Sequence, residues 1–121
     1  MSKKKYKAAP HCKINSWLSA NDNCVEVSFI QVGGSLLKSP IFNSLAYSTR
    51  YIYLCCASEA AGKTTFNFPA SFFKIYGFSE STGQRALFEL AQNGFIKLTF
   101  SGKVNRLPNE YQFNYEWKGR A

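Results

Sequence analysis

The chain has 121 residues, with 15 Lys and Arg against 7 Asp and Glu and a formal net charge of +8. This length allows one domain with a substantial core and excludes two. The charge favours a polyanionic partner or an acidic membrane surface, although a lysine-rich start is also typical of a solubilising tail. No apolar run approaches the roughly 20 residues of a membrane span, and no secretory signal is expected.

Residues 1–23 are predicted to form a basic, flexible N-terminal arm, followed by a folded domain over residues 24–121. The first 13 residues contain five lysines and no acid, and the arm lacks sustained periodicity. Val25, Val27 and Phe29 then alternate with polar residues, which predicts a short, half-buried N-terminal strand.

Two helices are predicted next. Ser39 and Pro40 are typical of a helix start, a capping hydroxyl followed by proline at the first helical position. Ser48 is predicted to cap a longer helix that runs to Gly62. A short extended segment over residues 66–68 follows this helix.

The most informative stretch is residues 72–96, which predicts a helix, a tight turn, a second helix and a strand. Gly77 can adopt the positive φ of a sharp turn, and Ser79 can cap the second helix through its side-chain oxygen. Asn93 and Gly94 are predicted to end that helix. Its predicted buried face consists of Gly83, Ala86, Leu87, Leu90 and Ala91.

The C-terminal part predicts a β-hairpin. Apolar and polar residues alternate over 96–100 and again over 111–115, with a loop over 101–109. Residues 90–109 carry three basic residues and no acid. The predicted fold class is therefore α+β, a winged helix-turn-helix with a core of three or four helices, a C-terminal β-hairpin wing and the short N-terminal strand.

The chain resembles the winged helix-turn-helix domains, particularly small ones encoded on phages and conjugative elements of Gram-positive bacteria. The resemblance runs from about residue 36 to residue 117. It is carried by the fragments LLKSPIF, LAYSTRYIYL, GKTTFNFP, YGFSESTGQRAL, NGFI, SGKVNR and PNEYQFNYEWK. This resemblance implies a DNA-binding module used in transcriptional control or in the replication and maintenance of a mobile element.

Two residues depart from the pattern of that family. Gly83 stands where such domains usually carry a larger apolar residue, and Phe73 stands where they usually carry a small one. Two interpretations are open: the Phe73 ring fills the space left by Gly83, or the two helices cross at a different angle.

The second helix is predicted to read double-stranded DNA in the major groove. Its predicted base-reading residues are Ser81, Thr82, Gln84 and Arg85. Gln84 can pair with an adenine edge and Arg85 with guanine or with phosphate. The predicted backbone and wing contacts are Ser79, Lys97, Lys103 and Arg106. The alternative for these residues is an ordinary solvated surface.

A competing hypothesis is a winged-helix protein-interaction module. Phe88 lies on the same helical face as Gln84, so an exposed ring there would suit a homodimer or another protein partner. A partner module should show an apolar patch, whereas DNA binding requires positive potential along the helix and wing.

An enzyme is the weakest interpretation of this sequence, because the acids are scattered and the single histidine, His11, lies in the arm. The four cysteines follow no zinc pattern, and Gly62-Lys63-Thr64 lacks the earlier glycine and the preceding strand of a phosphate loop. We therefore predict no catalysis, no metal or other cofactor, reduced cysteines and a cytoplasmic location.

Overall fold

The computed structural model describes residues 12–101 and 109–119. The helices are α1 (Gly34–Leu37), α2 (Pro40–Asn43), α3 (Tyr47–Ala60), α4 (Ala70–Ile75) and α5 (Glu80–Gln92). The strands are β1 (Cys12–Lys13), β2 (Val25–Glu26), β3 (Thr65–Asn67), β4 (Ile96–Phe100) and β5 (Glu110–Phe113). Short 3-10 helices cover Ser16–Leu18 and Glu116–Gly119. Over these ranges the protein is α+β, as the sequence predicted.

Local signals fix the start of α2 but not that of α3. The Ser39 hydroxyl accepts a hydrogen bond from the Phe42 amide, and Pro40 occupies the first turn, which confirms the predicted helix start. The prediction that Ser48 caps α3 is wrong, because Ala46 is the capping residue and Ser48 already lies in the first turn. Packing sets this start, since Leu45 and Thr49 on either side of it are both buried.

Strands that are distant in sequence form one antiparallel sheet in the order β3-β5-β4. Tyr111 of β5 faces Phe66 of β3 on one side and Leu98 of β4 on the other. The Phe66 and Tyr111 rings stack with their centroids 5.6 Å apart. The extended segment predicted around residues 66–68 is thus the edge strand β3, and the predicted hairpin is formed by β4 and β5.

The core lies between α3, α5 and this sheet, and aromatic rings fill much of it. Phe95 is fully buried at the start of the hairpin and contacts the rings of Phe42, Tyr53 and Trp117. The contacts with Phe42 and Tyr53 are edge-to-face, which is a favourable arrangement for aromatic pairs. This cluster joins the hairpin to the helices, so the position of β4 relative to α5 is set by the core.

The N-terminal strand is shorter than predicted. β2 pairs with β1 only through Val25 and Glu26, and beyond them Val27 and Phe29 are 63% and 45% exposed. The prediction of a half-buried strand through Phe29 is therefore wrong: β2 ends at Glu26, which faces Cys12, the first described residue of the chain. Residues 1–11 of the predicted arm lie outside the described residues, and its flexibility stays a prediction.

Candidate nucleic-acid interface

A tight turn connects α4 to α5. Gly77 has a φ of +88°, a conformation that glycine adopts without steric cost, as the sequence predicted. The Phe78 amide then donates to the Phe73 carbonyl at 2.7 Å, and the Phe78 ring contacts Tyr51 of α3 at 5.5 Å between centroids. These contacts anchor the turn on α3 and fix where α5 begins.

The side chain that follows α4 also holds the turn against α3. Tyr76, which follows α4, donates its phenol hydrogen to the Glu59 carboxylate of α3. Burial, together with this carboxylate, raises the pKa of Tyr76, so the phenol keeps the proton that it donates. The turn between α4 and α5 is therefore attached to α3 at both Tyr76 and Phe78.

Ser79 caps α5, as predicted. Its hydroxyl accepts from the Thr82 amide at 3.3 Å and donates to the Thr82 hydroxyl at 3.0 Å. The two predicted contact residues Ser79 and Thr82 are thus bonded to each other, and Thr82 is half-buried. Ser81, between them in sequence, is exposed.

α5 has an apolar face and a polar face. Gly83, Ala86, Leu87 and Leu90 are buried, which confirms four of the five residues predicted for the inner face. The fifth, Ala91, is exposed. At about 100° per residue it lies roughly 90° from the centre of the buried face, so it reaches only the edge of the contact with the core.

On the opposite surface of α5 we define the outer face by the exposed residues Ser81, Gln84, Arg85 and Phe88, and the exposed Gln92 follows one turn further along the helix. The structure therefore brings three of the four predicted base-reading residues together with the predicted partner contact. Glu89 does not belong to this face, because it is half-buried and accepts a hydrogen bond from Thr49 of α3. Arg85 is the basic residue of the outer face.

Phe73 of α4 packs directly against Gly83 of α5. A Cβ atom built on Gly83 would lie 2.3 Å from Cδ1 of Phe73, and Phe73 is 1% exposed. The ring therefore occupies the space that a side chain at position 83 would need, which confirms the first of the two interpretations. The Phe73 ring therefore also sets how closely α4 and α5 approach each other at this point.

The base of the predicted wing is described, but its tip is not. Lys97 is exposed on β4 and faces Gln112 of β5. The Thr99 hydroxyl donates to the Glu110 carbonyl at 3.2 Å and joins the two strands at the end nearest the loop. Lys103 and Arg106 lie outside the described residues, so their predicted DNA contacts stay predictions.

The described residues contain no group of three or more His, Cys, Asp and Glu that could hold a metal ion. Cys24, Cys55 and Cys56 are unpaired thiols. Burial raises the pKa of Cys55 to about 11 and that of Cys56 further, so both thiols stay protonated near neutral pH. Throughout the described ranges, each helix is too short or too polar to cross a membrane.

Sequence reasoning missed a cleft of about 740 Å³ on another side of α3. Its walls include Val32, Leu36, Tyr53, Ala57, Phe113 and Tyr115. None of its lining residues belongs to α4 or α5. Three segments that are far apart in sequence form the cleft, so no local pattern could have indicated it.

No family model, curated protein or solved structure matches this chain. A proposal for the function therefore rests on the local geometry of α5. This helix is held by α3, α4 and β4, and its outer face offers a hydroxyl, an amide, a guanidinium and one aromatic ring.

Proposed function

We propose that this protein binds double-stranded DNA sequence-specifically as a winged helix-turn-helix, with α5 as the recognition helix and the β4–β5 hairpin as the wing. Its role would be transcriptional regulation or the replication and maintenance of a mobile element. The observation that carries the proposal is the outer face of α5, where Ser81, Gln84 and Arg85 are exposed on a helix whose other face is buried.

The order of the elements supports this proposal. From α3 onward the chain forms a helix, a strand, two helices and a hairpin, which are α3, β3, α4, α5 and β4–β5. A tight turn connects α4 to α5. A helix-turn-helix places its second helix in the major groove and reads base edges mainly from the N-terminal part of that helix. Ser81, Gln84 and Arg85 all lie within the first two turns of α5.

The chemistry of the outer face also suits base edges. A Gln side chain can bond both N6 and N7 of adenine, and an Arg side chain can bond both O6 and N7 of guanine. Small hydroxyl residues such as Ser81 can bond bases or phosphates. Contacts between α5 and α3 hold the helix that carries these side chains in place, which reduces the ordering cost of binding.

The charge of the chain supports a nucleic-acid partner over a neutral one. The net charge of +8 would attract the phosphate backbone, and Lys97 extends positive charge from α5 to the hairpin. Lys103 and Arg106 are proposed to contact phosphates from the wing. Such contacts release counterions, so affinity should fall steeply between about 50 and 200 mM salt.

Selection from random duplex DNA with the purified protein tests the proposal. We expect a preferred sequence to be enriched and the selected duplex to bind more tightly than a scrambled duplex of the same composition. Titrations at several salt concentrations should give a steep loss of affinity for both duplexes. Failure to bind any duplex at low salt would overturn the proposal.

The second candidate is a winged-helix protein-interaction module, and one observation favours it: Phe88 is 63% exposed on α5. A protein partner or a homodimer would bury this ring, and substitution of Phe88 would then weaken self-association. Sedimentation of the wild type and of Phe88→Ala, each without DNA, tests self-association through this ring, and the selection from random duplex DNA decides whether the protein also reads DNA.

A further inference from the structure

We propose that Phe88 is a specificity-determining residue that contacts the 5-methyl group of a thymine in the major groove. This inference rests on the proposed DNA-binding function and extends it from hydrogen-bonding residues to an apolar contact. It assigns a chemical feature to the target: a thymine that lies beyond the bases read by Gln84 and Arg85, toward the C-terminal end of α5.

The position of Phe88 on α5 cannot be explained by the core. At about 100° per residue, Phe88 and Ser81 point away from the centre of the face formed by Gly83, Ala86, Leu87 and Leu90. A rotamer change cannot bring the ring into the core from this side of the helix. Whatever contacts Phe88 must therefore approach the same outer face that exposes Gln84 and Arg85.

The neighbours of Phe88 on the helix favour DNA over a protein surface. Between Glu80 and Gln92, Phe88 is the one large apolar side chain that is exposed, and Gln84 and Arg85 lie one turn before it on either side. A protein interface needs a contiguous apolar patch, which a single ring flanked by an amide and a guanidinium does not provide. The major groove offers the matching arrangement, because the thymine methyl is an isolated apolar group among hydrogen-bonding base edges.

The spacing along α5 fits neighbouring base pairs. Ser81 and Phe88 are seven residues apart on the same side of the helix, a rise of about 10 Å. Successive bases along one strand are about 3.4 Å apart, so the outer face spans roughly three base pairs. The ring of Phe88 would then contact a base at one end of this span, while Gln84 and Arg85 contact bases within it.

Replacing thymine by deoxyuridine tests the inference, because this change removes the methyl group and leaves every hydrogen-bonding atom in place. Each thymine of the selected duplex is replaced in turn, and the affinity of the wild type and of Phe88→Ala is measured. We expect one position at which loss of the methyl weakens wild-type binding about fourfold, the effect of one buried carbon. At that position Phe88→Ala should bind both duplexes equally, and Phe88→Leu, which keeps an apolar contact, should retain a methyl preference.

Three results would overturn the inference. Wild-type binding could be insensitive to every methyl group, or Phe88→Ala could keep the full methyl preference. Alternatively, Phe88→Ala could dissociate a homodimer without changing that preference, which would make Phe88 a protein contact. Each of these results leaves sequence-specific DNA binding intact, whereas failure to select any duplex overturns both this inference and the proposed function.

Discussion

α5 and the segment over residues 25–29 both carry a regular apolar pattern, but only α5 buries it. Leu87 and Leu90 on the inner face of α5 are 5% and 0% exposed, whereas Val27 and Phe29 of the segment are 63% and 45% exposed. α5 packs against α3, α4 and β4. The strand that begins at Val25 ends at Glu26, which faces Cys12, the first described residue. Periodicity therefore identifies the apolar face of an element, and a neighbouring element decides whether that face is buried.

The largest effect on stability is expected at Phe73, where α4 and α5 meet. Phe73→Ala should lower the free energy of unfolding by about 3–5 kcal/mol, because it removes a fully buried ring and leaves a cavity. Phe88→Ala is the matched control on the outer face and should change stability by less than about 0.5 kcal/mol. Chemical denaturation measures both, and similar losses would contradict the separation of α5 into two faces.

A smaller loss is expected from filling the space beside Phe73. Gly83→Ala improves helix propensity by about 1 kcal/mol, but its methyl would lie within 2.6 Å of three carbons of the Phe73 ring. Overpacking of this kind costs about 1–3 kcal/mol, so we expect net destabilisation. The double variant with Phe73→Ala should lose less stability than the sum of the single variants. A stabilising Gly83→Ala would show that the ring moves aside without cost.

The cap of α5 should contribute about 1 kcal/mol. Ser79→Ala removes the acceptor for the Thr82 amide and should lower the unfolding free energy by that amount. Ser48→Ala is the control, since Ser48 lies inside α3 and does not cap it. Thermal unfolding of the two variants compares them, and an equal loss from Ser48→Ala would restore the capping role that the sequence predicted.

A similarly small effect is expected in the segment over residues 25–29. Phe29→Ser should lower the free energy of unfolding by about 1 kcal/mol, because 45% of the residue is already exposed. Denaturation of this variant beside Phe73→Ala compares the same residue type in the two regions. A loss of several kcal/mol would mean that this segment packs against a part of the chain outside the described residues.

Local chemistry made α4, the turn and α5 predictable from sequence. Gly77 and Ser79 act through their own backbone and the next few residues, so their roles in the turn and in the cap could be predicted and are confirmed. The exposure of Gln84, Arg85 and Phe88 follows from helical periodicity in the same way. The fit of Phe73 against Gly83 was one of two open interpretations, because the crossing of two helices depends on both of them.

Tertiary contacts determine the features that could not be predicted from the sequence. α3 begins at Tyr47 because buried residues flank that point, although Ser48 is the better capping residue. β3 pairs with β5, about 45 residues further along the chain, so no local pattern specifies this contact. The cleft beside α3 likewise depends on three distant segments.

The central claim is that the outer face of α5 reads bases. Its most direct test is the specificity ratio, the affinity for the selected duplex divided by that for a scrambled one, compared among matched variants. Affinity for the selected duplex and for a scrambled one is measured for the wild type, Gln84→Ala, Arg85→Ala and Lys38→Ala. Lys38 is exposed at the end of α1, so Lys38→Ala removes the same charge as Arg85→Ala at a site outside α5. Gln84→Ala and Arg85→Ala should each reduce the preference for the selected duplex by about 1–3 kcal/mol, while Lys38→Ala leaves it unchanged. If neither variant of α5 changes the ratio, α5 does not read bases.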